Sequence, residues 1–342
     1  MGSLDEPSDL PPTGLVRRGP WSSWFIAVMT VVLAFCGLSV IAPPASAAAG
    51  WSAVGAGTDG IVNALASDPS GNIYIGGSFT AAGGLSASRV AMWNGSTWSA
   101  LGSGVNGDVN DLAFRNGKLY AVGTFTQAGG VGAKSIAVWD GVTWAPVGSG
   151  VGTTYGLTAL VFDPSGNLYV GGYSFTTIDG VAASGVAKWN GSSWSAMGSQ
   201  FSSLSSVYSL IFHAGSLFAG GSFEFLNGGW VYDLARWTGT AWVSANGGGD
   251  TVRALASDGR YLYAGGQDNG TSSLSLQRYD SVNAAWDTSP IGNGGSVIYS
   301  LLSASTGTLY VGGTWGTFNG TSTRNIATWN GNTRVATAVG TG

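Results

Sequence analysis

A tryptophan recurs along most of this chain at nearly constant spacing, and no other feature constrains the fold as strongly. The intervals between successive copies are 47, 46, 50, 48 and 44 residues. A period of this length indicates an array of like modules, each of which buries its apolar surface against its neighbours. The recurring residues are Trp51, Trp98, Trp144, Trp194, Trp242 and Trp286.

Each module contains four short segments of β-branched, aromatic and small apolar residues. In the first module these are 62–65, 73–77, a segment that ends at Trp93 and one that begins at Trp98. Turn-forming residues bound each segment, and Asn94-Gly95 is a strong signal for a tight hairpin. No stretch of the repeat region has the 3.6-residue apolar period of a surface helix. One module is therefore predicted to be a four-stranded antiparallel sheet.

Six such sheets, packed face to face around an axis, make an all-β, six-bladed β-propeller, which is the fold predicted for residues 48–342. The last module lacks the landmark tryptophan, because Arg334 stands at the aligned position. Trp51, by contrast, lies ahead of the first complete module. We therefore predict that the N-terminal strand closes the sixth blade and that the C-terminal strand is a supplementary edge.

The first 47 residues differ in composition from the repeats. Arg17-Arg18 precedes an apolar run from Trp24 to Ala42, and Ala45-Ser46-Ala47 follows that run. A basic flank, an apolar core and an Ala-x-Ala site are typical of a secretory signal peptide, so residues 1–47 are predicted to direct export and to be removed. The run is also long enough to stay as an uncleaved membrane anchor.

The composition argues against several kinds of function. Charged residues make up 9% of the chain and the net charge is −4, so a nucleic-acid-binding surface is not expected. The only histidine, His213, is predicted to be exposed at a hairpin turn, which leaves a serine nucleophile without a base. No His–Cys cluster and no Asp-rich calcium loop occurs in the sequence. We therefore expect no metal and no cofactor.

The repeat resembles kelch and galactose-oxidase-type propellers, and more closely a group of secreted bacterial repeat proteins. Trp93-Asn94-Gly95 and the Gly-Asn-Leu-Tyr-Val-Gly-Gly stretch at 166–172 carry that resemblance. It covers about 51–342 and implies a propeller without an assigned activity. The copper chemistry of galactose oxidase does not carry over, because the only cysteine, Cys36, lies in the leader.

One column of the first segment varies between modules, whereas the residues on either side are nearly constant. If the first strand lines the central channel, this column forms a ring at one level of the channel. The ring would present hydrogen-bonding groups, two phenols and one guanidinium. Its predicted members are Asn63, Asn110, Thr158, Tyr208, Arg253 and Tyr299.

A second variable set follows the glycine pair of each module, or the single Gly123 in the second module. Matching phenylalanines there, such as Phe79, are interpreted as core between blades. Glu224, Phe225 and Trp315 depart from the pattern and are predicted to be exposed at the rim as ligand-binding residues.

These observations favour a non-catalytic recognition or scaffold module, secreted or at the cell surface. The expected partner is an extracellular glycan or another surface protein, and membrane contact would be confined to an uncleaved N-terminal segment. The alternative is an extracellular carbohydrate-active enzyme, a polysaccharide lyase or hydrolase that uses Glu224 with Asp179 or Asp233. A third interpretation is a structural repeat protein of the cell envelope. The sequence does not indicate an oligomeric state.

Overall fold

The computed structural model describes most of the repeat region. The described residues are 53–151, 156–173, 175–198, 201, 205–223, 225–226, 229–230, 233–245, 251–267, 276–287, 297–315, 317–318, 321–323, 325–329 and 337–338. The predicted signal peptide or anchor, residues 1–47, lies outside these ranges. Within them, no helix has the length and apolar character needed to span a membrane.

Each repeat contributes a first, second, third and fourth strand to one antiparallel sheet, and we number the sheets by repeat. Sheet 1 contains Val62–Ser67, Ile73–Gly77, Val90–Trp93 and Trp98–Ala100. Sheet 2 contains Val109–Arg115, Lys118–Gly123, Ile136–Trp139 and Trp144–Pro146. Sheet 3 contains Leu157–Phe162, Leu168–Gly172, Val186–Trp189 and Trp194–Ala196.

Sheets 4 to 6 repeat this strand order. Sheet 4 contains Ser206–His213, Ser216–Ser222, Leu234–Trp237 and Trp242–Ser244. Sheet 5 contains Thr251–Ser257, Tyr261–Gln267, Leu276–Asp280 and Ala285–Trp286. Sheet 6 contains Val297–Ser303, Leu309–Thr314, Ile326–Trp329 and Thr337–Ala338, and a single bridge between Gln267 and Val297 joins it to sheet 5.

A small two-stranded hairpin stands between the second and third strands of five repeats in the described part of the chain. These hairpins are Ala81–Ala82 with Leu85–Ser86, Gln127–Ala128 with Val131–Gly132, Thr177–Ile178 with Val181–Ala182, Phe225–Leu226 with Gly229–Trp230, and Thr317–Phe318 with Thr321–Ser322.

The first strands of consecutive sheets pack against each other from sheet 1 to sheet 6. The sheets therefore follow one another face to face, which is the arrangement of propeller blades and confirms the all-β prediction. Among the described strands, no packing of comparable extent joins sheet 6 to sheet 1. Closure of the ring, and with it the count of six blades, stays a prediction.

The glycine pair at the end of the second strand allows neighbouring backbones to approach closely. A Cβ atom on Gly76 would lie 2.4 Å from Val109 Cγ1 of the next sheet. A Cβ atom on Gly77 would lie 1.8 Å from the carbonyl oxygen of Ile61, in the same repeat. Both positions therefore exclude any larger residue, because distances this short are not tolerated between non-bonded atoms.

The landmark tryptophans fasten each repeat to the one before it. The indole N–H of Trp144 donates to the carbonyl oxygen of Leu101 at 2.8 Å, and that of Trp242 donates to Met197 at 2.8 Å. In each case the acceptor lies three residues after the preceding landmark tryptophan. Trp98 follows the same rule, because it donates to Val54 at 3.3 Å, three residues after Trp51.

The fourth strand of sheet 6 differs from the others in register. In sheets 1 to 4 the third-strand alanine pairs nine residues ahead, as Ala91 does with Ala100. In sheet 6 Ala327 pairs with Ala338, eleven residues ahead. Thr337–Ala338 thus occupies the edge where the N-terminal strand was expected, but without the standard pairing. Trp51 itself lies outside the described residues, so closure by the N-terminal strand remains a prediction.

Deleting residues 48–56 is expected to lower the melting temperature of the protein by about 5 °C or more. The deletion removes Val54, which packs against the buried cluster of Phe79 and Trp98 and accepts the indole hydrogen bond. Thermal unfolding followed by circular dichroism measures the effect. Deleting residues 1–47 is the control and should leave the melting temperature unchanged. Equal melting curves for the two deletions would contradict the predicted role of the N-terminal strand.

Candidate functional site

A β-bulge lies at the same place in the first strand of every sheet. In sheet 1 the pairing register shifts between Val62 and Ala64, which leaves Asn63 as the extra residue. A bulge re-aims the side chain of its extra residue out of the regular alternation of the strand. The extra residues of the six bulges are those of the predicted ring, namely Asn63, Asn110, Thr158, Tyr208, Arg253 and Tyr299.

Three ring residues form hydrogen bonds that link neighbouring sheets. Asn63 Nδ2 donates to the carbonyl oxygen of Val109 at 3.0 Å, in the next sheet. Asn110 Nδ2 donates in the same way to Leu157 at 2.8 Å. Thr158 Oγ1 donates to the carbonyl oxygen of Val207. These donors satisfy backbone acceptors at the bulges, so at the first three contacts between sheets the ring holds the propeller together.

The other three ring residues form a different arrangement, which we call the arginine–tyrosine cluster. The guanidinium carbon of Arg253 lies 5.3 Å from the ring centroid of Tyr208 and 5.6 Å from that of Tyr299. Cation–π contacts of this length replace the hydrogen bonds that link the earlier sheets. Arg253 also donates to Gln267 Oε1 at 3.2 Å, whereas its Nε is buried without a hydrogen-bond partner among the described residues.

Tyr173, which the repeat pattern did not predict as a site residue, extends the cluster towards sheet 3. Its ring meets that of Tyr208 edge-on at 5.7 Å. Burial raises the pKa of Tyr173, and the nearby Arg253 partly opposes that rise. The available sequence signal was an aromatic directly after the glycine that ends the second strand, where the first two repeats have Ser78 and Thr124.

The rim predictions had mixed outcomes. Phe79, Phe125 and Phe175 are fully buried, which confirms their interpretation as core. The prediction that Trp315 is exposed was wrong: its side chain is 8% exposed, its ring lies 4.8 Å from that of Phe318, and its indole N–H donates to Thr323 Oγ1 at 2.7 Å. Trp315 thus takes the place of the phenylalanine in its repeat, because an indole with a satisfied N–H can be buried.

The proposed carboxylate pair finds no support among the described residues. Glu224 lies outside them, and for Phe225 the structure describes the strand but not the side chain. Asp233 is buried and accepts a hydrogen bond from the Phe223 amide at 2.8 Å. Asp179 is exposed in a hairpin turn and accepts one from the Ser149 amide at 2.9 Å. Both aspartates therefore serve local structure.

The prediction that His213 is exposed was also wrong. The side chain is 2% exposed and lies between sheets 4 and 5, where Nδ1 is 2.8 Å from Ser257 Oγ. Burial lowers the pKa of His213, and Asp258 partly opposes that change. The residue occupies the last position of the first strand of sheet 4, as Arg115 does in sheet 2, so it belongs to the strand and not to the turn.

No group of three or more His, Cys, Asp or Glu side chains within the described ranges is arranged to hold a metal ion. The candidate site is the arginine–tyrosine cluster at the bulge end of sheets 3 to 6, where the rings of Tyr208 and Tyr299 contact the Arg253 guanidinium. Its chemistry is that of a cation framed by aromatic rings, with phenol hydroxyls nearby.

Comparison with known proteins agrees with this architecture. Residues 48–216, which include sheets 1 to 3, match the model of the family described as the Rax2 C-terminal beta propeller domain. The chain is thus a β-propeller protein built from four-stranded antiparallel sheets. No curated protein sequence matches it.

Three solved structures resemble the chain at low identity. The extracellular domain of BT4673 from B. thetaiotaomicron matches with 11% identity and a TM-score of 0.49, over 74% of this chain and 32% of that one. The chain therefore spans about a third of that relative. A chain of the Mitotic Checkpoint Complex matches with 14% identity and a TM-score of 0.49, over 80% and 79%. A chain of the Nidogen/Laminin complex matches with 15% identity and a TM-score of 0.44, over 66% and 78%.

Proposed function

We propose that this protein is a non-catalytic recognition module of the cell exterior, exported by its N-terminal segment. In this proposal the arginine–tyrosine cluster binds a carboxylate group carried by a glycan or by another surface protein. The proposal is supported above all by the environment of Arg253. Its guanidinium is held between two tyrosines and, among the described residues, forms no ion pair with a carboxylate.

The position of Arg253 favours ligand binding over a purely structural role. A guanidinium that lacks an acidic partner can pair with an incoming anion, and its planar set of N–H donors matches the two oxygens of a carboxylate. The flanking rings restrict its motion, so little side-chain entropy is lost on binding. Tyr299, at 43% exposed, leaves this end of the cluster open to solvent.

Replacing Arg253 with alanine is expected to weaken binding to an acidic glycan or protein by about tenfold or more. The loss of one charge-assisted hydrogen-bonding group accounts for that factor. A glycan and surface-protein array identifies the ligand, and titration calorimetry then compares the variants. Arg253→Lys keeps the charge without the planar fork and should recover only part of the affinity.

Arg236→Ala is the matched control, since Arg236 is an exposed arginine on the third strand of sheet 4. It should leave the affinity unchanged. Equal affinities for wild type and Arg253→Ala would overturn the assignment of the cluster as the binding site. Product formation from an array glycan, lost in Glu224→Gln, would instead support the enzyme interpretation.

A further inference from the structure

Aromatic pairs fill the first three contacts between sheets near the C-terminal ends of the first strands, away from the bulges. Tyr74 stacks on Phe114 of the next sheet at 5.5 Å between ring centroids. Tyr120 meets Phe162 at 5.0 Å, and Tyr169 meets Phe212 at 5.2 Å. In each pair the tyrosine comes from a second strand and the phenylalanine from the first strand of the following sheet. The phenylalanine therefore acts as a plug between two sheets.

The last two contacts lack this plug. Ser257 and Ser303 pair with Leu262 and Leu309, as Phe114 pairs with Leu119, so both serines stand at the phenylalanine position. Between sheets 4 and 5 the imidazole of His213 occupies the space beside Ser257. Between sheets 5 and 6 Tyr263 turns edge-on to Trp329 at 6.0 Å. A cavity of about 440 Å³ is left beside Ser303.

The walls of this cavity combine polar and apolar surface in similar proportion and carry little net charge. Serine hydroxyls at 257, 303 and 305 line it together with Arg260 and Tyr261. Arg260 is paired with Asp280 at 3.1 Å and lies 4.7 Å from the Tyr261 ring centroid, so its charge is balanced and its orientation is restricted. The lining Asp258 accepts hydrogen bonds from the Arg260 and Tyr261 amides and from the Tyr263 hydroxyl.

We infer that this cavity is a second ligand site, which binds a neutral pyranose unit of a carbohydrate. Its volume lies in the range of small-molecule pockets. The hydroxyls of Ser303 and Ser305 and the oriented guanidinium of Arg260 provide hydrogen bonds for sugar hydroxyls. The partly exposed Tyr261 ring, which Arg260 and Arg278 contact at 4.7 and 4.5 Å, provides apolar surface for an edge of the sugar ring. An anionic ligand is disfavoured because both charged residues of the lining already have partners.

This site is separate from the arginine–tyrosine cluster. Arg253 lies near the start of the first strand of sheet 5, whereas Ser257 lies at its end, where the turn into Tyr261 begins. The two sites therefore open at opposite ends of the strand. Arg253→Ala should leave sugar binding in the cavity unchanged, so the failure of one proposal does not imply the failure of the other.

Filling the cavity tests the inference. Ser303→Phe restores the plug of the earlier contacts, so the variant should fold and should bind a pyranose about tenfold more weakly or not at all. The probes are the methyl pyranosides of glucose, galactose, mannose and N-acetylglucosamine, titrated by saturation-transfer NMR to about 50 mM. The wild-type protein is expected to bind at least one of them saturably.

Two further variants separate binding from folding. Arg260→Ala removes an exposed side chain of the lining and should weaken the same sugar about tenfold. Thr306→Ala, in the same turn but outside the lining, is the matched control and should bind as the wild type does. Absence of saturable binding by all four probes overturns the inference. So does binding within about twofold of wild type by Ser303→Phe or, if that variant does not fold, by Arg260→Ala.

Discussion

Trp242→Ala is expected to lower the free energy of unfolding by about 3–5 kcal/mol, the typical cost of removing a buried aromatic side chain. Trp242 is 2% exposed and is among the largest fully enclosed side chains of the protein. Its ring lies 5.3 Å from Phe201 and 5.4 Å from Trp237. The substitution also leaves the carbonyl oxygen of Met197 without its indole donor. Sheets 3 and 4 lose both an apolar contact and a hydrogen bond.

Urea unfolding followed by circular dichroism measures this change, and two variants divide it into its parts. Trp242→Phe retains a ring but not the N–H group. It should lower the free energy of unfolding by about 1–2 kcal/mol more than a substitution at an exposed position does. Val243→Ala, at the next position and 37% exposed, is the control and should change the unfolding free energy by less than about 0.5 kcal/mol. A loss below about 1 kcal/mol in Trp242→Ala would show that the tryptophans do not fasten the repeats together.

The sequence predicted the sheets well because their signals are local. Short strands, tight turns between the third and fourth strands, and glycine near the end of the second strand recur in every repeat, and each signal acts within a few residues. The predicted ring also proved to be one structural position, because a variable column among constant neighbours coincides with the bulge of each first strand. That a column is variable does not reveal what its side chains contact. Asn63 bonds a neighbouring carbonyl, whereas Arg253 lies between two tyrosines.

The errors share one physical origin, which is that burial depends on the neighbouring sheet. His213 follows a strand in the sequence as a turn residue would, but the small Ser257 of sheet 5 leaves room for its imidazole. Trp315 breaks the phenylalanine pattern, yet Thr323 accepts its indole hydrogen bond and permits burial. The cavity beside Ser303 has the same origin. A serine leaves space there because the tyrosine of the preceding sheet lacks the phenylalanine that it contacts in the earlier repeats. Such pairings between repeats are not visible in any single repeat.

Asp111 is expected to make the protein more stable at pH 5 than at pH 8. The residue as a whole is half-buried, but its carboxyl group is enclosed and accepts the amide protons of Leu112 and, from sheet 3, Leu160, both at 2.8 Å. Burial raises the pKa of Asp111 from 3.8 to about 7, and the two amides partly oppose the rise. Between these values the folded state holds a proton that the unfolded state has released.

Stability from Asp111 is therefore fully present below about pH 4 and is lost as the pH rises through about 7. A shift of this size corresponds to at most about 4 kcal/mol between the two limits. Asp111→Asn cannot ionise, so its unfolding free energy should change less between pH 5 and pH 8 than that of the wild type. At pH 8 the variant should be the more stable protein by about 1–3 kcal/mol, after the loss of one amide hydrogen bond.

The two proteins must be compared at each pH, because the titration of His213 also changes the unfolding free energy in this pH range, and in the opposite direction. The pKa of His213 is lowered from 6.5 in the folded protein, so its contribution is lost as the pH falls. That contribution is common to the wild type and Asp111→Asn and cancels in the difference. Parallel curves of unfolding free energy against pH would show that the Asp111 carboxyl is ionised at neutral pH in the folded protein. In that case the Asp111 carboxylate would be negatively charged while it accepts the hydrogen bond of the Leu160 amide.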